Sequence, residues 1–183
     1  AINSAVCGDV IDIDVAQTLT GNFTLPDKSC SGSYVTLQSR NLSSLPSGVR
    51  VGPNDTSNMP IIQTTNTTAA IKANSGAGWY KFLGLHIRAN GVSTINLIAF
   101  DDQSTIAALA HDIVIDRCYI HGDQTLGARR VEANVVNLEV TNSYLFDFKQ
   151  DGSDTQAIGA WSGANHVIRN NYLEASGENI MYG

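Results

Sequence analysis

Three stretches of the chain align on a shared tyrosine. They are IVIDRCYIHGD (residues 113–123), LEVTNSYLFDF (138–148) and HVIRNNYLEAS (166–176). A fourth, YKFLGLHIRAN (80–90), fits upstream with His86 in the tyrosine column, and the copies start 33, 25 and 28 residues apart. Self-similarity at this period is the mark of a stacked repeat, in which no unit can bury its apolar face alone.

Each copy reads as two short runs of period 2. In the first, Ile113 and Ile115 share one side and Val114 takes the other. The chain then bends at Asp116 and Arg117, matched by Thr141 and Asn142 and by Arg169 and Asn170. Asn suits such a bend because it tolerates left-handed backbone angles. In the second run Cys118 and Ile120 point inward, so Tyr119 and His121 point outward. A Gly-bearing loop and a third run follow: NLIAF (96–100), RRVEAN (129–134), QAIGAW (156–161) and NIMYG (179–183). Helices do not fit runs this short with Gly and Asn punctuation. Hairpins would need two-residue Asn-Gly or Asp-Gly turns between the runs. Coiling in one direction instead lets equivalent strands pair in parallel. Roughly six rungs about 4.8 Å apart would make a column on the order of 30 Å tall.

The remaining composition narrows the partners. Only 15% of residues are charged and the net charge is -6, which argues against a nucleic-acid or anionic-membrane partner. No apolar run approaches the roughly 18–20 residues of a membrane helix, so no membrane insertion is expected. Of three cysteines, Cys7 and Cys30 each sit beside a Gly/Ser turn at a strand edge. They are expected to form a disulfide, with a pair of free thiols as the alternative. Cys118 reads as a buried small hydrophobe. Sequons at Asn22, Asn41, Asn54 and Asn66 hint at secretion, as a disulfide would.

The units I-x-I-x-x-C-x-I and V-I-x-N-N-x-L resemble rungs of right-handed parallel β-helices of the pectate-lyase-like superfamily. AVCGDVIDID and TLTGNFTLPDK resemble the opening rung of such proteins, where a capping helix leads through a Gly-Asp turn. RRVEAN, QAIGAW and NNYLEASGENIMYG are similar to a secreted bacterial subgroup. The resemblance covers nearly the whole chain. It implies an all-β, right-handed parallel β-helix over residues 1–183, a single domain with the remnant of an N-terminal capping helix. The strand-like GENIMYG at 177–183 suggests an excerpt of a longer chain. Fold alone does not choose a function, since β-helices host lyases, hydrolases, adhesins and tailspikes.

Three groups of residues are candidates for chemistry. Tyr119, Tyr144 and Tyr172, beside Arg88, His121, Phe146 and Glu174, form an outward stripe whose rings could stack on sugars. The same stripe could serve only as a ladder stabilising the sheet. Trp161, if exposed at a groove, would join the sugar contacts. Asp147, Asp151 and Asp154 flank Gly152 in a loop that could offer oxygens to Ca²⁺, without EF-hand spacing; otherwise it is a solvated polar loop. Arg130, Lys149 and His121 are the candidate catalytic residues. The resemblance implies that a lyase would need a Lys or Arg base and a cation to neutralise a uronate carboxylate. A hydrolase would need two carboxylates, for which Asp151, Asp154 and Glu178 are available. Surface ion pairs are the plain alternative. The expected function is therefore an extracellular structural or carbohydrate-binding module, partnered by a polysaccharide or by other copies end to end. A lyase or glycoside hydrolase is the alternative.

Overall fold

The computed structural model describes residues 1–101 and 105–183. The chain coils through six rungs of three strands. The first rung is β1 (Val10–Ile13), β2 (Thr18–Thr20) and β3 (Phe23–Leu25). The second is β4 (Val35–Ser39), β5 (Ile61–Thr64) and β6 (Ile71–Ala73). The third is β7 (Gly78–Leu83), β8 (His86–Ala89) and β9 (Asn96–Phe100). The fourth is β10 (Ala110–Asp116), β11 (Tyr119–His121) and β12 (Arg130–Ala133). The fifth is β13 (Val135–Thr141), β14 (Tyr144–Phe148) and β15 (Gln156–Ala160). The sixth is β16 (Gly163–Arg169), β17 (Tyr172–Ala175) and β18 (Glu178–Tyr182). Equivalent strands pair only with the rungs above and below, giving three parallel six-stranded sheets. This is the right-handed parallel β-helix expected from the repeat.

Period-2 patterning explains the stacking. Inward residues line up as Leu37, Phe82, Ile115, Val140 and Ile168 in the first sheet. Ile62, Ile87, Ile120, Leu145 and Leu173 do so in the second. Ile71, Ile98, Val131, Ile158 and Ile180 do so in the third. Each such side chain, when fully buried, contributes roughly 1.5–3 kcal/mol, so one column carries much of a rung's stability. Cys118 lies in this core, and burial pushes its thiol up to about 12.

The bend between the first and second sheets is made by left-handed residues: Gly84, Arg117, Asn142 and Asn170. Their side chains chain the rungs together. Asn170 donates to Asn142 Oδ1 (2.8 Å), and Asn142 donates to Asp116 Oδ1 (2.7 Å). Arg117, costly at positive φ, is held by Asp116 and by the Leu45 carbonyl. A second left-handed row, Trp79, Asp112, Asn137 and Asn165, kinks the long strands of the first sheet. It too is tied by side-chain amides, Asn165 to Asn137 and Asn137 to Asp112.

Cys7 and Cys30 form a disulfide across the first rung, with Cα atoms 5.6 Å apart. A disulfide points to an oxidising, non-cytoplasmic compartment. The expected capping-helix remnant is a single turn, closed by Ala5 N–H donating to the Ala1 carbonyl. No helix among the described residues is long and apolar enough to cross a membrane.

One region departs from the repeat. Residues 40–60, between β4 and β5, leave the coil as a strap containing two 3-10 helices, Leu42–Ser44 and Pro53–Asn58. The strap lays Leu45, Val51 and Met59 over the outer side of the second sheet, against Tyr119, Tyr144 and Phe146. Tyr119 and His121 do point away from the coil axis, but they do not reach free solvent. Tyr119 is 8% exposed and His121 6%.

Candidate functional site

The outer side of the third sheet carries an unusual row. Asn96, Arg130, Gln156 and Glu178 are in register on successive rungs. Arg130 is only 4% exposed, and its guanidinium carbon lies 4.5 Å over the ring of Trp161, which is 40% exposed. Gly159 makes room for this pair. A Cβ there would lie 3.2 Å from the Trp161 ring and 3.6 Å from Arg130 Cδ. The flanking amides are half-used. Asn96 Nδ2 donates to Glu132 (2.7 Å) and Gln156 Nε2 donates to Glu178 (3.1 Å). Arg130 Nε, Asn96 Oδ1 and Gln156 Oε1 are buried with no hydrogen-bond partner among the described residues. Burial, then the neighbouring Arg129, lowers the Arg130 pKa, while Glu132 and Asp154 act in the opposite sense. No carboxylate forms an ion pair with Arg130 among the described residues. Buried polar atoms are nearly always paired, so three orphans in one row set this face apart from the rest of the coil.

The outer side of the second sheet holds a different cluster. His86 Nε2 and His121 Nε2 are 2.8 Å apart, and His121 Nδ1 donates to the Gly122 carbonyl (2.6 Å). Burial lowers both imidazoles, His86 to about 3 with His121 and Arg88 adding to it; for His121 the Gly122 carbonyl, Asp147 and Asp123 oppose the burial. Arg88 Nε donates to Gln63 Oε1 (2.9 Å). Tyr144 stacks on Tyr172 at 4.2 Å and more loosely on Tyr119 at 5.5 Å. The Tyr172 hydroxyl donates to Glu174, a bond that pushes its pKa up to about 12.

The candidate residues are therefore distributed as follows. The tyrosine stripe is continuous, but the strap covers much of Tyr119, leaving it 8% exposed. Tyr144 is half-buried in the same small core. Tyr172 and Glu174, on the last rung, lie outside that small core, Tyr172 half-buried and Glu174 exposed. Arg130, Lys149 and His121 are not brought together. Arg130 lies over Trp161, the Lys149 ammonium is bonded to Asp147 (2.8 Å), and the His121 ring is turned to His86. Nor do Asp147, Asp151 and Asp154 converge as a Ca²⁺ site. Asp147 is engaged by Lys149, and no group of three metal-ligating side chains exists among the described residues. His166 sits in register with the inward-facing Leu138 and bonds the Val135 carbonyl and Tyr182.

Sequence reasoning missed Asn96 and Gln156 as site residues, and placed His86 above the tyrosine stripe without pairing it with His121. The signal for His86 was present: the alignment puts it in the tyrosine column, one rung above and diagonal to His121. Asn96 and Gln156 begin ordinary-looking runs, and only the register reveals that they flank Arg130. Comparison with protein-family models, curated proteins and solved structures found no match, so these sites are read from their geometry alone.

Proposed function

We propose that the chain is an extracellular carbohydrate-binding β-helix module whose binding face is the outer side of the third sheet around Arg130 and Trp161. The observation that supports this most directly is the Arg130 guanidinium, buried, with no carboxylate in ion-pair contact among the described residues, and lying on an exposed indole. With the Trp161 indole swung aside, a ligand carboxylate would reach the guanidinium bidentately, the indole would offer a platform for a sugar ring, and the oxygens of Asn96 and Gln156 would accept from hydroxyls. The ligand class is thus a glycan bearing carboxylates. The chain's net charge of -6 does nothing to steer such a polyanion, so recognition rests on short-range, desolvated contacts that salt screens weakly. The disulfide and the resemblance to pectate-lyase-like rungs agree with an extracellular polysaccharide setting. The lyase reading is weaker, because Lys149, the expected second cation, is bonded to Asp147 instead.

The test is affinity electrophoresis and calorimetry against polyuronates and neutral glucans. Polyuronates should bind, and Arg130→Met and Trp161→Ala should each weaken them by about 10- to 100-fold. Arg130→Met should be neutral or stabilising in urea unfolding, since it replaces a buried charge by an apolar side chain of similar length. Equal retention of polyuronates and glucans, or an Arg130→Met variant that binds normally, would sink the proposal. Ultraviolet-absorbing unsaturated products would move it to a lyase.

A further inference from the structure

We infer that the cleft between the strap and the second sheet is a separate binding site for a small hydroxylated carboxylate. The cleft has a volume of about 380 Å³ and a mainly polar lining, within the usual size range of small-molecule sites. Tyr119 and Phe146 form an aromatic wall, and Pro53 and Thr56 of the strap face into the same space. His86, Arg88, His121 and Asp123 line the remainder. It lies on a different sheet from Arg130 and Trp161, and the argument for it is independent of theirs.

The hydrogen bonds fix what the cleft can offer. His121 Nδ1 carries a proton, because it bonds a carbonyl oxygen that can only accept. Its Nε2 is then a lone pair, so the proton shared with His86 belongs to His86 Nε2. This leaves His86 Nδ1 bare, an acceptor without a partner among the described residues. Both rings are neutral near pH 7, in line with their lowered pKa values. The histidine pair is therefore an uncharged polar surface that can accept from a hydroxyl.

The charges are settled in the same way. Asp123 is consumed by the backbone. Its Oδ2 accepts from Gly91 N–H (2.7 Å), and its Oδ1 accepts from the N–H groups of Thr125 and Leu126 (2.9 Å each). It pins its loop and forms no ion pair with Arg88. Arg88 spends its Nε on Gln63, which leaves both terminal nitrogens without a hydrogen bond or carboxylate partner among the described residues. One fixed guanidinium edge, beside a committed carboxylate, suits a monoanion. A phosphate dianion would be under-neutralised, because no lysine lines the cleft and Asp55 already occupies the N-terminal donor at Gly52 of the nearby 3-10 helix. A carboxylate on Arg88, with hydroxyls toward His86 and the amides of Asn90 and Gln124, uses the lining that is present.

The test is a titration with D-glucuronate, with glucose as its uncharged counterpart and inorganic phosphate as the competing anion. The readout is the histidine side-chain nitrogen NMR spectrum, simple to assign because the chain has 4 histidines. Glucuronate should move the His86 and His121 signals saturably and leave His111 and His166 in place. Glucose and phosphate should act far more weakly. Arg88→Gln should weaken glucuronate by about 10- to 100-fold. Equal shifts with glucose, tighter binding of phosphate, no shift at millimolar glucuronate, or unchanged affinity in Arg88→Gln would each overturn the proposal. Should that variant fail to fold, the three titrations of the unaltered chain decide the point on their own. Because the signals come from His86 and His121, a failure here leaves the Arg130 face untouched, and the reverse also holds.

Discussion

At the scale of the residue, His86 is the group whose charge state the fold controls most strongly. Its pKa in the folded chain is about 3, below the ordinary 6.5, because burial, His121 and Arg88 all oppose a positive charge. The unfolded chain therefore takes up the proton first as pH falls. The stability contributed by the neutral ring is complete above about pH 6.5 and is lost as pH drops toward 3. The slope approaches about 1.4 kcal/mol per pH unit for one such group. His121, also lowered, adds in the same direction. Between pH 6.5 and about 4.5 most carboxylates remain ionised, so the histidines dominate the change. Urea unfolding should show lower stability at pH 5 than at pH 7. His86→Gln, which can still donate to His121 but cannot titrate, should flatten that dependence. A stability independent of pH across this window would mean that the pair is not held neutral.

At the scale of the element, the strap decides which parts of the repeat can meet a ligand. Leu45 is its anchor, 1% exposed, and its side chain presses on the bend at Gly84, where a Cβ would come within 2.8 Å of it. Leu45→Ala should cost about 2–5 kcal/mol, the range for a buried leucine that leaves a cavity. It should also expose Tyr119, which hydrophobic-dye binding would report; an exposed-surface cost of only a few tenths would show that the strap is loosely seated. The strap also marks the limit of what could be read from the chain alone. Rungs were legible because Ile113, Ile115, Cys118 and Ile120 alternate, and alternation maps directly onto a sheet face. The bends were legible because Asn142 and Asn170 suit left-handed backbone. Leu42, Leu45, Val51 and Met59 follow no period, so nothing in the strap announced that it would fold over the tyrosine stripe. The second left-handed row was hidden for a related reason, since Trp79 is among the last residues expected at positive φ. Arg130 and Trp161 were both recognised, but as members of different groups. Their meeting depends on Gly159 and on the register of the third sheet, which the pattern of a single run does not reveal.

At the scale of the whole molecule, the coil is close to one-dimensional: apart from the strap and a few side-chain bonds, the strands of each rung pair only with those of its neighbours, so its stability is close to a sum of local terms and interfaces. The first rung is the weak end of that sum. Its strands are short, and β2 alternates exposed and half-buried residues. The Cys7–Cys30 disulfide compensates by closing this rung on itself, joining the segment before β1 to the segment after β3 over a separation of 23 residues. A loop of that size corresponds to about 3 kcal/mol of denatured-chain entropy. In a globular core such a loss would be shared by the whole structure. Here it should fall first on β1, β2 and β3, the rung that the bridge closes. Reduction, or the paired substitution Cys7→Ser with Cys30→Ser, should therefore raise amide exchange in the first rung most. The fourth and fifth rungs, with their long β10 and β13 strands, should keep their protection. Hydrogen exchange read by mass spectrometry checks this directly. A uniform rise from the first rung to the sixth would mean that the rungs unfold as one cooperative block, with interfaces between them stronger than the rungs themselves.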